Sequence, residues 1–139
     1  MYDPMMTAPM RAELTAVGVS SLESAQAVDD VMGKVSETTM VVVNSVCGCA
    51  AANARPAVSL AKKHGVQPDN FVTVFAGVDR EAVDRARSYL RGYMPSSPCI
   101  ALLKNGEVAF MLQRHEIEGR GPDEIAGYLT KAFDEHCAS

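Results

Sequence analysis

Residues 38–65 read TTMVVVNSV (38–46), CGC (47–49) and AAANARPAVSLAKKHG (50–65), and the change of composition across the cysteine pair decides the fold. The first string is β-branched and almost continuously apolar, without alternation, which suits a central strand covered on both faces. The third is alanine-rich and closes on Lys62, Lys63, His64 and Gly65. It reads as a helix whose cations lie at the end where they complement the macrodipole. Pro56 lies inside it and is expected to bend it, since proline removes one backbone bond and clashes with the preceding turn.

Cys47 therefore stands where a buried strand hands over to a helix. A thiol there faces unpaired N–H groups and the positive end of the helix dipole, and both favour thiolate. Such cysteines have pKa values of roughly 3.5 to 7.5, against about 8.5 for a free thiol. Cys47 is thus the candidate attacking sulfur. Gly48 permits the tight backbone that brings the sulfurs together, and Cys49 is placed to resolve a mixed disulfide on Cys47. With one residue between the cysteines, the ring that a disulfide closes is small and hard to satisfy. This predicts a pair more oxidising than a relaxed structural disulfide, suited to exchange or isomerisation. The competing reading is one arm of a metal site, because soft thiolates suit zinc or copper. A full site needs about four ligands. The rest of the chain offers Cys99, Cys137, His64, His115 and His136, none in a second paired spacing, so no metal is expected.

Upstream, Met10, Leu14 and Val17 recur at helical spacing between Pro9 and Gly18, and Ser24 can cap a helix carrying Val28, Val31, Met32 and Val35 on one face. Downstream, NFVTVFAG (70–77) reads as a second strand, and Asp79 can cap a helix carrying Val83, Ala86 and Leu90. The strings CIALLK (99–104) and EVAFMLQ (107–113) flank Asn105-Gly106, a hairpin signal because both turn positions need positive φ. A last helix starts near Pro122 and buries Ile125, Leu129, Ala132 and Phe133. The order is strand, helix, strand, helix, antiparallel hairpin, helix, which is the order of the thioredoxin fold. The predicted architecture is α/β, a mixed four-stranded sheet flanked by helices with extra helices in front. It forms a single domain over 1–139, with 1–8 flexible and 135–139 frayed.

The bulk numbers exclude several functions. With 139 residues and 47% hydrophobic content the chain can bury one real core. A net charge of −4 without a lysine or arginine cluster leaves no footprint for nucleic acid or an anionic membrane. No apolar run approaches the roughly 20 residues that span a bilayer. The first ten residues, broken by Pro4 and Pro9, lack the basic-then-apolar order of a secretion signal. A cytoplasmic protein is expected, and in that compartment four cysteines point to chemistry, ligation or core filling rather than structural disulfides.

A second candidate site segment is MPSSPCIALLKNGEV (94–108), which resembles the thioredoxin segment where a cis-proline precedes the hairpin. Pro98 takes that position, and a cis Ser97–Pro98 bond would point the Ser97 backbone at the cysteine pair, to hold an extended substrate by β-type hydrogen bonds. A trans proline opening an edge strand is the alternative. Cys99 is either a pocket thiol or, as free cysteines usually are, a core residue. Cys137 falls near the end of the chain, either an extra tethered thiol or without a role. Thioredoxin has a buried acid on the strand leading to its motif, whereas residues 40–43 carry no charge. Glu116 and His115 are therefore candidate proton-transfer groups, with solvated loop residues the alternative. Arg55 is a candidate for steering an anionic thiol adduct, or else forms a surface salt bridge.

The strings VVVNSVCGCAAANARPA, VTVFAG, PSSPCIALLK and RHEIEG, with MRAELTAVG near the start, resemble the bacilliredoxins over about residues 9–137. The resemblance implies a thioredoxin-like thiol-disulfide oxidoreductase whose first motif cysteine removes bacillithiol from mixed disulfides on proteins. Carried over, Cys47 takes the thiol as an adduct, which Cys49 or free bacillithiol releases, with weak disulfide isomerase activity alongside. The implied partners are S-bacillithiolated proteins, bacillithiol as co-substrate and a flavin-dependent, NADPH-linked bacillithiol disulfide reductase. No tightly bound cofactor is implied. Cys99 departs from the pattern, since related members carry serine after the proline, and a third thiol brings a simple two-cysteine mechanism into question. A metal-binding or metallochaperone module using Cys47 and Cys49, and a redox-sensing adaptor, are the competing functions.

Overall fold

A computed structural model describes residues 2–138. The element order is α1 (Pro4–Thr15), β1 (Ser20–Ser21), α2 (Ala25–Met32), β2 (Thr39–Asn44), a π-helical turn (Ala50–Ala54) running into α3 (Arg55–Ala61), β3 (Asn70–Phe75), α4 (Arg80–Ser88), β4 (Cys99–Lys104), β5 (Glu107–Leu112), α5 (Arg114–Ile117) and α6 (Pro122–His136). The strands form one mixed sheet in the order β1-β3-β2-β4-β5. β1, β3 and β2 are parallel, while β4 runs antiparallel to both β2 and β5.

All six residues of β2 are buried, as an apolar run without alternation requires of a central strand. Because side chains alternate along a strand, Met40 and Val42 enter a core with Leu14, Val58, Leu129 and Phe133 from α1, α3 and α6. Val41 and Val43 enter a second core with Val28, Met32, Val83 and Ala86 from α2 and α4. The sheet is thus sandwiched between two helical layers. At the hairpin, Asn105 and Gly106 adopt φ of 55° and 78°, the positive values that the turn demands.

The differences from expectation have local causes. The sheet has five strands rather than four, because Ser20 and Ser21 pair with Val72 and Thr73 in a stretch too short to show periodicity. α1 begins at Pro4, not after Pro9. Asp3 accepts the Met5 N–H at 2.8 Å and Pro4 occupies the first turn, a pairing of cap and proline that starts helices. Residues 4–8, expected within a flexible lead, thus belong to α1, and residues 135 and 136, expected within a frayed tail, belong to α6. Met1 and Ser139 lie outside the described residues. Val35 does not join the α2 face, because α2 ends at Met32 and Val35 is exposed. Asp79 precedes α4 without capping it. Its carboxylate is instead held by Arg11 at 2.7 and 3.1 Å.

Candidate active site

The site is built on the end of β2. Asn44 closes the strand and turns its side chain into the interior, where Oδ1 accepts the Ser45 N–H at 2.8 Å and a guanidinium N–H of Arg55 at 3.1 Å. Arg55 also donates to the Ser45 carbonyl at 2.8 Å. Ser45 Oγ then accepts the Cys47 N–H at 3.1 Å, and the Cys47 carbonyl accepts from Ala50 and Ala51 to open the helix. A buried amide, a buried guanidinium and one hydroxyl thereby fix the loop that presents Cys47.

Pro56 is accommodated without loss. The Arg55 N–H bonds to the Ala50 carbonyl, an i→i+5 bond, and Pro56 falls in the first turn of α3, where its missing donor is not needed. Just before Pro56, where the sequence predicts a bend, the helix widens into this π-helical turn, a feature frequent at functional sites. Asn53 in the turn donates to the carbonyl of Arg120 and so ties the motif helix to the α5–α6 connection.

Cys47 Sγ and Cys49 Sγ lie 2.9 Å apart as free thiols, both partly exposed. Burial opposes ionisation of Cys47. Hydrogen bonds from Cys49, Ser45 and the Ala50 N–H, together with the charge of Arg114, outweigh it and hold its pKa below that of an ordinary thiol. Cys49 shifts the opposite way, raised by burial and by the neighbouring Cys47, with Glu118 adding to the effect. Cys47 is the more acidic of the two sulfurs and Cys49 the less, the order that an attacking and a resolving thiol require.

The other wall comes from the segment before β4. The Ser97–Pro98 bond is cis. The Ser97 carbonyl accepts from the Arg114 guanidinium at 3.3 Å, the Arg114 N–H donates to Ser96 Oγ at 3.2 Å, and Gln113 Nε2 donates to the Met94 carbonyl at 3.0 Å. The start of α5 is therefore stitched to the proline loop, and Arg114, bonded through Nε to Glu118 at 2.6 Å, bridges that loop to the thiols.

Several sequence-level candidates fall elsewhere. Arg55 is 3% exposed, so it neither steers an adduct nor lies on the surface. Its Nε sits 3.1 Å from Glu13, an ion-pair contact outside hydrogen-bonding geometry. It acts as a positioning residue through Asn44 and Ser45. Glu116 takes part in a capping box, accepting the Gln113 N–H at 3.0 Å, while His115 is exposed on the same short helix. Cys99 is buried, paired in register with Val43 in the α2/α4 core, and burial pushes its pKa up to about 11. Cys49 packs on the opposite core, so Cys99 is a core thiol rather than a third pocket sulfur. Cys137 ends α6 near Thr38, at the far end of β2 from Cys47. The strand between spans roughly 20 Å at about 3.3 Å per residue, which removes Cys137 as a tethered partner. Among the described residues no group of three or more His, Cys, Asp or Glu side chains is arranged to hold a metal. The sequence reading missed Ser45, Asn44, Arg114 and Glu118. For the last two, the i,i+4 spacing of opposite charges in RHEIE was the available signal.

A family model described as disulphide isomerase matches residues 2–137. A bacilliredoxin from Koribacter versatilis is 50% identical over 139 residues, covering 100% of this chain and 96% of that protein. The chain belongs to the bacilliredoxin family. A second bacilliredoxin, from Halalkalibacterium halodurans, is 51% identical over 128 residues, covering 92% of this chain and 88% of that one. The Malassezia sympodialis thioredoxin shares the fold, with a TM-score of 0.53 at 18% identity, covering 87% of this chain and 92% of that one. This bacilliredoxin-family chain is a thiol-disulfide oxidoreductase with a thioredoxin-like fold. No helix in the described residues is long and apolar enough to cross a membrane.

Proposed function

We propose that this bacilliredoxin removes bacillithiol from S-bacillithiolated proteins in the cytoplasm, with Cys47 as the attacking and Cys49 as the resolving sulfur. The observation that carries the reading is the opposite bias of two thiols 2.9 Å apart, Cys47 toward thiolate and Cys49 toward thiol. Cys47 attacks the bacillithiol sulfur, the protein thiolate leaves, and Cys47 holds the adduct. Cys49 or a second bacillithiol displaces it.

Gly48 is exposed beside the sulfurs, which leaves them open to a partner as large as a folded protein. In this reading the backbone of Ser97, before the cis Ser97–Pro98 bond, offers β-type hydrogen bonds to an extended substrate segment. The chemistry calls for no tightly bound cofactor. The oxidised small thiol is returned by a flavin-dependent, NADPH-linked bacillithiol disulfide reductase, and the same pair supports weak disulfide isomerisation. A metal-binding role is disfavoured by the lack of further ligands grouped with the pair among the described residues.

Turnover of a bacillithiolated protein by wild type, Cys47→Ala and Cys49→Ala tests the reading. Cys47→Ala is expected to be inactive and Cys49→Ala to accumulate the adduct on Cys47, resolved only by added thiol. Equal rates for all three proteins would overturn it.

A further inference from the structure

Arg55, the arginine that the sequence suggested for steering an adduct, is buried and faces away from solvent. Arg114 occupies the position that this role needs. It is held on three sides, by Glu118 at Nε, by the Ser97 carbonyl and, through its own N–H, by Ser96. Its side chain nevertheless remains 46% exposed, so part of the guanidinium fork faces the solvent. Ser97 immediately precedes Pro98 and β4, whose Cys99 pairs with Val43 near the end of β2 that leads into Cys47, so the guanidinium lies at the end of the sheet that carries the sulfurs, and its charge bears on both. The partnership with Glu118, itself half exposed, is of the weak, exchangeable kind. An incoming anion can take the place of Glu118 without leaving a buried charge behind.

We propose that Arg114 reads a carboxylate on the small thiol that Cys47 captures, selecting anionic thiols over neutral ones. The inference rests on the exchange reaction proposed above and names the chemical class of its small partner. In that reaction the Cys47 thiolate attacks the outer sulfur of a protein–S–S–R disulfide. A new S–S bond forms between Cys47 Sγ and the sulfur of R as the S–S bond to the protein's cysteine breaks, and the protein thiolate leaves with the electron pair, without net oxidation. R is then fixed next to Cys47, within the neighbourhood that Arg114 already spans from the thiols to Ser97. A guanidinium binds a carboxylate through two parallel N–H bonds, which an ammonium cannot do.

The test uses one carrier protein with a single cysteine, loaded with 3-mercaptopropionate or with 2-mercaptoethanol, thiols of similar length ending in a carboxylate or a hydroxyl. Reduced protein in excess is mixed with each carrier and the single-turnover release rate is measured. Each rate is divided by that of dithiothreitol on the same carrier, which removes intrinsic differences between the disulfides. Wild type is expected to favour the carboxylate adduct by about fivefold, the upper range for a partly exposed ion pair. Arg114→Gln brings the ratio close to one, and Arg114→Lys leaves an intermediate ratio. Loss of thiolate in the variants slows both adducts together and cancels in the ratio, so a merely structural role would not move it. A wild-type ratio of one, or a ratio unchanged in Arg114→Gln, overturns the inference while the exchange reaction stands. Failure of reduced wild type to release either adduct overturns the exchange reading itself, and this inference with it.

Discussion

The lowered pKa of Cys47 has identifiable causes, and each can be removed. Ser45→Ala deletes one hydrogen bond to the sulfur and Arg114→Gln deletes one charge. Both are expected to raise the pH at which Cys47 becomes alkylable. The sign follows from the direction of the shift: a thiol with a depressed pKa is reactive above that pKa and loses reactivity as pH falls through it, so weaker stabilisation moves the whole curve upward. Alkylation with iodoacetamide followed by mass spectrometry reads this directly. The same experiment at pH 8 should leave Cys99 unlabelled, because burial holds its pKa near 11. At this scale the sequence was legible where the signal is local, as with Cys47, Cys49 and Pro98. Arg114 was not, since its importance arises from contacts with Ser96 and Ser97, 18 and 17 positions away.

The strand-to-helix junction works because a buried arginine and a widened turn support it. Arg55→Met is expected to leave Asn44 Oδ1 and the Ser45 carbonyl short of a donor. At a few kcal/mol at most for each stranded buried acceptor, the loss of stability should be about 3 kcal/mol. Urea denaturation measures it, and a higher alkylation pH for Cys47 in the folded variant would show that the loop has moved. The strands and long helices were readable because β2 is a continuous apolar run, α6 carries Ile125, Leu129 and Phe133 at helical spacing, and Asn105-Gly106 dictates a turn. The π-helical turn was not readable, since an alanine run offers no pattern to distinguish i→i+5 from i→i+4 bonding. The four-residue α5 was likewise too short to announce itself. Its signature is the Gln113 and Glu116 capping box, which uses as a cap a carboxylate whose type and place also suit an acid.

Across the whole molecule, function is confined to one end of the sheet and stability is spread through both cores. Phe133 is fully buried and meets Phe71 edge-on at 6.0 Å. Phe133→Ala should cost about 3–5 kcal/mol in urea denaturation while leaving activity per folded molecule intact. Cys137→Ser, at the far end of β2, should change turnover of a mixed disulfide by less than its experimental error. The sandwich places the end of β2, the π-helical turn, the proline loop and α5 around a single pair of sulfurs, and the account depends on Cys47 being the more acidic of them. The most direct measurement is the rate of alkylation of each cysteine of the reduced wild-type protein as a function of pH, resolved by peptide mass spectrometry. Cys47 is predicted to titrate below an ordinary thiol and Cys49 above it. Coincident curves, or Cys49 titrating first, would contradict the account.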